Sequence, residues 1–398
     1  MSILQQNGSC QRALALTRRD FLRTATFSAA GLAFAASAFG CSSASSSSAS
    51  GESSAASSSD AAAQSPFTAT ERELLGSPDA CTMKVGLMMG PPAMGLSKFM
   101  HEVKTGEAQT FNTFEMEVLE TMDFSALAAY LNDGTYDAVT LPSNIGPIMH
   151  NNDDINTDVV CIALSNLGVL AIGTTDDSVK SLDDLRGKTL YCMGEGGTPG
   201  YTTEYVIEKA GLSADVHLEY KATPFELLNI VQDQPGSVAV LPHPFVEMAK
   251  RMTPGLLAPI DLTEEWNRLN GADAAQPVTT TTVVRRDFAE QHEQAVVEYL
   301  QFASQSVEYV LANVDEASQW QQDLGTFLNN EIAKEAIPNC NICLVSGETM
   351  QGALEGFLQM LCDMNPESVG GHMPSADFYY LPPSNVQLAQ PGLPGAAA

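Results

Sequence analysis

From Met83 onward the chain alternates short apolar runs with amphipathic segments, and this rhythm restricts the possible folds more than any single motif does. "KVGLMMG" reads as a strand, "GLSKFMHEV" as a helix, "FNTFEMEVL" as a strand, "FSALAAYLNDG" as a helix ending at Gly134, and "YDAVTLP" as a strand. The cycle restarts at "VLAIGTT" and passes through a short helix, a strand, a glycine-rich loop and a long helix before "VHLEYKA" and "SVAVLPHP". A last strand, "TTTTVVRRDF", leads into helices that run to Asp363. Such βαβ alternation predicts mainly parallel sheets with helices on both faces and ligands beyond the carboxyl ends of the strands. No repeat of 20–50 residues interrupts it.

The first 65 residues obey different rules. Thr17-Arg18-Arg19-Asp20-Phe21-Leu22 is a twin-arginine pattern, followed by an uncharged, alanine-rich run over 27–39 that is too short to span a bilayer comfortably. Ala38-Phe39-Gly40-Cys41 resembles a bacterial lipobox, which makes Cys41 the expected lipidated first residue of an exported chain. A buried amphipathic helix with chance arginines explains less of this order. The Ser/Ala tract from 42 to about 65 has almost no large apolar side chains and reads as a tether. The boundaries that follow are a signal over 1–40 and a disordered tether over 41–80.

Residues 1–40 hold four arginines and one aspartate, so the remainder carries −32 against −29 for the whole chain. No cluster of five or more Lys/Arg exists, which argues against nucleic acid and anionic membrane surfaces as partners. After the tether roughly 320 residues remain, enough for two lobes with cores, and no later stretch reaches transmembrane length. Six cysteines follow Cys41, two of them in Cys340-Asn341-Ile342-Cys343. That spacing fits a redox pair, a zinc half-site or a local disulfide, but zinc wants a second pair and His372 alone is a poor substitute. Structural cysteines are the plainer expectation.

"SLDDLRGKTLY", "GEGGTPGYTTEYVIEKAGL", "VAVLPHPFVEMAKRM" and "TTVVRRDFAEQHEQAV" together resemble the substrate-binding proteins of ABC importers for nitrate, sulfonate, taurine and bicarbonate, with their thiamine-precursor (NMT1/THI5-like) relatives. The likeness spans about residues 81–381. It implies an α/β, type II periplasmic-binding-protein fold: two doubly wound lobes joined by two crossover segments, near 165–169 and 277–283. Lobe one then comprises 81–164 and 284–381, lobe two 165–283, and 382–398 is a flexible tail. The resemblance further implies a monomer that closes on a small solute, delivers it to an ABC permease and its ATPase, and uses no cofactor.

The expected cleft is lined by strand-end loops. "MGPPAMGLSKF" places Pro92, Ala93 and Met94 at a helix start, and "GEGGTPGYTTEY" places Thr198, Pro199, Gly200 and Tyr201 at another. Two facing helix N-termini suit an anion or a carboxylate, although each alone is an ordinary βα turn. Ser143 and Asn144 end the third strand, Asn166 sits at a crossover, and His243 and Phe245 follow the strand of lobe two. A lone His beside prolines is as readily a structural hydrogen-bonder. Lys98 is the one basic residue near these loops, while Glu195, Tyr201 and Phe245 would favour a cationic ring.

The same fold resembles that of pyrimidine-precursor synthases and menaquinone-pathway enzymes. The chain has no GxSxG, HExxH, P-loop or cysteine-rich iron motif, and its export pattern points away from the cytoplasm, so a binding protein rather than an enzyme is expected. A receptor-docking sensor is the remaining alternative.

Overall fold

The computed structural model describes residues 68–119, 124–152, 157–271 and 274–392. The twin-arginine segment, Cys41 and the Ser/Ala tract lie outside these residues.

Two sheets organise the chain. The first contains β1 (Thr82–Met88), β2 (Thr113–Leu119), β3 (Ala138–Pro142), β4 (Val159–Leu167), β10 (Val278–Arg285) and β11 (Ile342–Val345), in the order β11-β4-β10-β3-β1-β2. The second contains β5 (Leu170–Thr174), β6 (Thr189–Met193), β7 (His217–Lys221), β8 (Val238–Pro242) and β9 (Leu257–Asp261), in the order β7-β6-β8-β5-β9. Every residue of β3, β4 and β5 is buried, as expected for central strands covered by helices on both faces.

Both sheets are mixed rather than mainly parallel. β1 pairs in parallel with β2 and β3, and β6 with β7 and β8, but β10 runs antiparallel to β3 and β4 and β5 antiparallel to β8 and β9. The cause is topological. β4 carries the chain out of the first sheet and β10 carries it back, so the two lie side by side in opposite directions. The chain changes sheets between Leu167 and Leu170, and returns between the Leu262–Asn270 helix and Val278. The return falls ahead of the expected 277–283 because Val278 already pairs with Leu167.

Both ends of the described chain are more ordered than the sequence leads one to expect. Thr68 and Glu71 form a capping box on the Ala69–Leu74 helix, Leu75 is buried, and the Gln294 N–H donates to the Leu75 carbonyl at 3.1 Å. The expected tether therefore gives way to packed structure before residue 80. The expected tail is likewise held at its start. The Leu344 N–H donates to Pro391 O at 3.0 Å, the Ser346 N–H to Gln390 Oε1 at 2.7 Å, and Leu388 is buried. Residues 386–391 thus lie against the edge strand β11, whose outward backbone groups need partners.

Candidate functional site: a proline-walled cleft between the lobes

The carboxyl ends of β1, β3, β4, β6 and β8 converge on one cleft of ≈ 70 Å³. Among the expected site residues, Pro92, Asn166, Pro199, His243 and Phe245 line it. Met88, Met89, Val169, Leu170, Met193 and Thr280 join them without having been anticipated. For all but Thr280, which lies inside β10, the signal was positional: Met88 and Met193 end strands, Met89 follows one, and Val169 and Leu170 sit at the first crossover.

Four helices begin at this cleft, and each has proline in its first positions or at its cap. Pro91 and Pro92 open the Pro91–Gly95 helix, Pro199 is second in Thr198–Lys209, Pro224 opens Pro224–Asp233, and Pro244 caps Phe245–Met252. Proline suits the first helical turn because its fixed φ is already helical, but it has no N–H to offer a ligand. Neighbouring amides are already engaged: Met94 donates to Gly90 O at 2.8 Å, Gly200 to Gly194 O at 3.2 Å, and Tyr201 to Gly197 O at 3.1 Å. Pro91, Pro92 and Pro199 thus remove three N–H groups from the pair of helix ends expected to cradle an anion, and the Gly200 amide is turned to its own loop.

Gly200 serves a local purpose. An added Cβ there would meet the Gly194 carbonyl oxygen at 2.4 Å, so the missing side chain makes room for the protein's own backbone. Thr198 does not cap its helix; Gly197 occupies that place, without a side-chain cap bond. The Thr198 hydroxyl instead reaches across to lobe one, donating to Asn144 Oδ1 at 2.9 Å and lying 3.0 Å from Ser143 Oγ. Asn144 Nδ2 returns bonds to Gly196 O and Ser368 O, both at 3.1 Å. Ser143, Asn144 and Thr198 are all buried and form one rim of the cleft, joining the lobes.

The opposite rim is aromatic and ionic. Phe245 makes edge-to-face contacts with Phe225 at 5.2 Å and, across the cleft, with Phe327 at 5.8 Å. Arg251 makes two bonds to Glu335, the shorter at 2.6 Å, and Asn339 Nδ2 donates to Glu247 Oε1 at 3.3 Å.

Several expected residues lie elsewhere. Ala93 and Met94 are fully buried in the core beneath their short helix. Tyr201 packs on the core rather than the cleft, and burial first, then the Glu204 carboxylate, raise its phenol above the usual range. Glu195 is exposed and does not line the cleft. Lys98 pairs with Glu102 at 2.5 Å and sits over the Tyr309 ring.

Inside the cleft the polar side chains are few and mostly committed. Thr280 Oγ1 donates to Asn166 Oδ1, Asn166 Nδ2 to Leu167 O at 3.0 Å, and Thr279 Oγ1 to Leu167 O at 2.7 Å. His243 is held by the buried Glu247, with Nδ1 at 2.7 Å from Oε1 and 2.9 Å from Oε2.

Cys340 and Cys343 are both buried thiols. They belong to different core clusters on the two sides of the sheet, which explains why the CxxC spacing makes no bridge. Burial pushes both thiols far above their ordinary range and raises that of Cys161 to about 12, so these groups stay protonated and unreactive. Among the described residues no group of three His, Cys, Asp or Glu is placed to hold a metal ion, and no helix is long and apolar enough to cross a membrane.

No family model matches the sequence, and no curated protein matches it significantly. Solved structures do match. An ABC transporter protein from Parabacteroides distasonis aligns over 76% of this chain and 99% of its own, with 22% identity and a TM-score of 0.60. The chain has the fold of ABC-transporter solute-binding proteins. The periplasmic aliphatic sulphonate binding protein SsuA from Escherichia coli shares this α/β fold at 15% identity, over 77% of this chain and 95% of its own, with a TM-score of 0.57. The alkanesulfonate-binding protein SsuA from Xanthomonas axonopodis pv. citri, bound to MOPS, aligns over 76% and 97% at 10% identity and a TM-score of 0.54. The first of these neighbours is an ABC transporter protein by its name and the other two are binding proteins by theirs, and what the chain shares with all three is the fold.

Proposed function

We propose that this protein is an extracytoplasmic solute-binding lipoprotein that captures a small solute between its lobes and passes it to an ABC permease and its ATPase. One observation carries the reading. The cleft lies where strand ends of both sheets converge, only two chain crossings join the lobes, and each rim is closed by contacts between one lobe and the other. Such a body opens and shuts by a hinge at the crossings, and a solute that touches both lobes favours the shut form. The match to ABC-transporter binding proteins supports the same role. The chain's charge of −29 disfavours nucleic acid as a partner. The protein acts as a monomer, without a cofactor and without turnover.

Location follows from the sequence before residue 68. Arg18 and Arg19 act as a receptor-read export signal, and Cys41 bears the lipid that anchors the chain outside the cytoplasm. Replacing both arginines with lysine stops export, and Cys41→Ser releases the processed protein from membranes; cell fractionation with immunoblotting reads both. A processed Cys41→Ser protein that stays with the membrane contradicts the anchor.

A further inference from the structure

We infer that the cleft selects a small, uncharged and mainly apolar solute carrying a hydrogen-bond donor directed at His243, and that it excludes oxyanions. This deepens the solute-binding role proposed above and rests on it.

Three features of the cleft lead there. Its lining contains no Lys, Arg, Asp or Glu, so a bound anion would meet no opposite charge inside a chain of net charge −29. A desolvated, unpaired ion is the costliest group to bury. The helix starts that serve anions in other α/β proteins are headed here by proline, which has no N–H, and the first-turn amide of Gly200 is spent on the Gly194 carbonyl. Third, the wall is built from prolines, Met88, Met89, Met193 and Phe245, groups that reward apolar and aromatic surface. The volume of ≈ 70 Å³ admits on the order of five water-sized groups, the scale of a single small ring.

His243 supplies the polar anchor. Its Nδ1 lies within hydrogen-bonding distance of both oxygens of the Glu247 carboxyl group, a geometry that suits the Nδ1–H tautomer donating to a carboxylate. In the neutral ring Nε2 is then an acceptor, and it wants an N–H or O–H on the solute. Asn166, Thr279 and Thr280 satisfy one another and Leu167 O, so they compete little for that role.

Calorimetric titration of the purified full-length protein with phenol, toluene, methanesulfonate and nitrate tests this. Phenol is expected to bind roughly three- to tenfold more tightly than toluene, the worth of one net hydrogen bond, and both anions at least tenfold more weakly than phenol. His243→Ala should bring phenol to the level of toluene. Should that variant fold poorly, the phenol-to-toluene ratio of the unmodified protein decides the anchor by itself. Methanesulfonate or nitrate binding as tightly as phenol overturns the inference and leaves the solute-binding role standing. Equal phenol and toluene affinities remove His243 as anchor, and no binding by either class overturns the inference, while the solute-binding role stands or falls separately on whether a small molecule co-purifies with the protein.

Discussion

Gly200→Val is expected to destabilise the protein by about 3 kcal/mol or more, before any ligand is considered. The new Cβ would lie 2.4 Å from the Gly194 carbonyl oxygen, a distance that forces backbone to move. That oxygen accepts from the amides of Gly197 at 2.9 Å and Gly200 at 3.2 Å, so its displacement breaks two bonds worth about 1 kcal/mol each and adds steric strain of about 1–3 kcal/mol. The damage spreads to the lobe contact, because Gly196 O in the same loop accepts from Asn144 and Thr198 meets Ser143. Gly211 is the matched control. It closes the same helix at φ +72° with open space beside its Cα, so Gly211→Ala loses only about 1 kcal/mol. Thermal melting of the two variants without ligand checks the order, and equal melting temperatures would contradict it.

Glu298→Ala is expected to lower stability further, by about 3–5 kcal/mol. Glu298 is fully buried in the Glu293–Ala312 helix, and its carboxyl group accepts from the Phe111 N–H at 2.6 Å, the Asn112 N–H at 3.0 Å and Asn112 Nδ2 at 2.6 Å. Asn112 in turn takes the Cys81 N–H at 3.0 Å and exchanges bonds with Gln294. One carboxyl group therefore fastens the entries of β1 and β2 to the long helix. Removing it strands three donors, each costing about 1–3 kcal/mol when buried without a partner, and leaves a void. Chemical denaturation measures the loss. A cost below about 1 kcal/mol would show that the network re-forms without its acceptor.

The sequence exposed the parts of this molecule that depend on near neighbours. Alternating apolar runs located eight of the eleven described strands but not β4, β9 or β11, and the strand-end loops they define hold Pro92, Asn166, Pro199, His243 and Phe245, which lie at the cleft. What it hid depends on distant partners. Thr198 looks like a helix cap in "GGTPGY", yet its hydroxyl is claimed by Asn144, 54 residues away. Residues 386–391 look like a loose tail because their role is to satisfy β11, which nothing nearby announces. Cys340 and Cys343 fit a redox spacing, but the intervening strand entry sends them to opposite faces of the sheet. The prolines were visible throughout, and the chemistry they remove was the neglected signal: a helix start headed by proline is a poor anion cradle, however well it is aimed.

A solute-binding protein holds its small solute, unaltered, between the lobes. Native mass spectrometry of protein purified gently from cells that make it, beside its Met193→Glu variant, tests this directly. Met193 lines the cleft and is only partly buried, so a carboxylate there blocks an apolar solute with little effect on folding. The expected result is one small uncharged molecule bound one-to-one, released with its mass unchanged, and missing from Met193→Glu. A molecule retained equally by the variant, or one that leaves chemically altered, would contradict it.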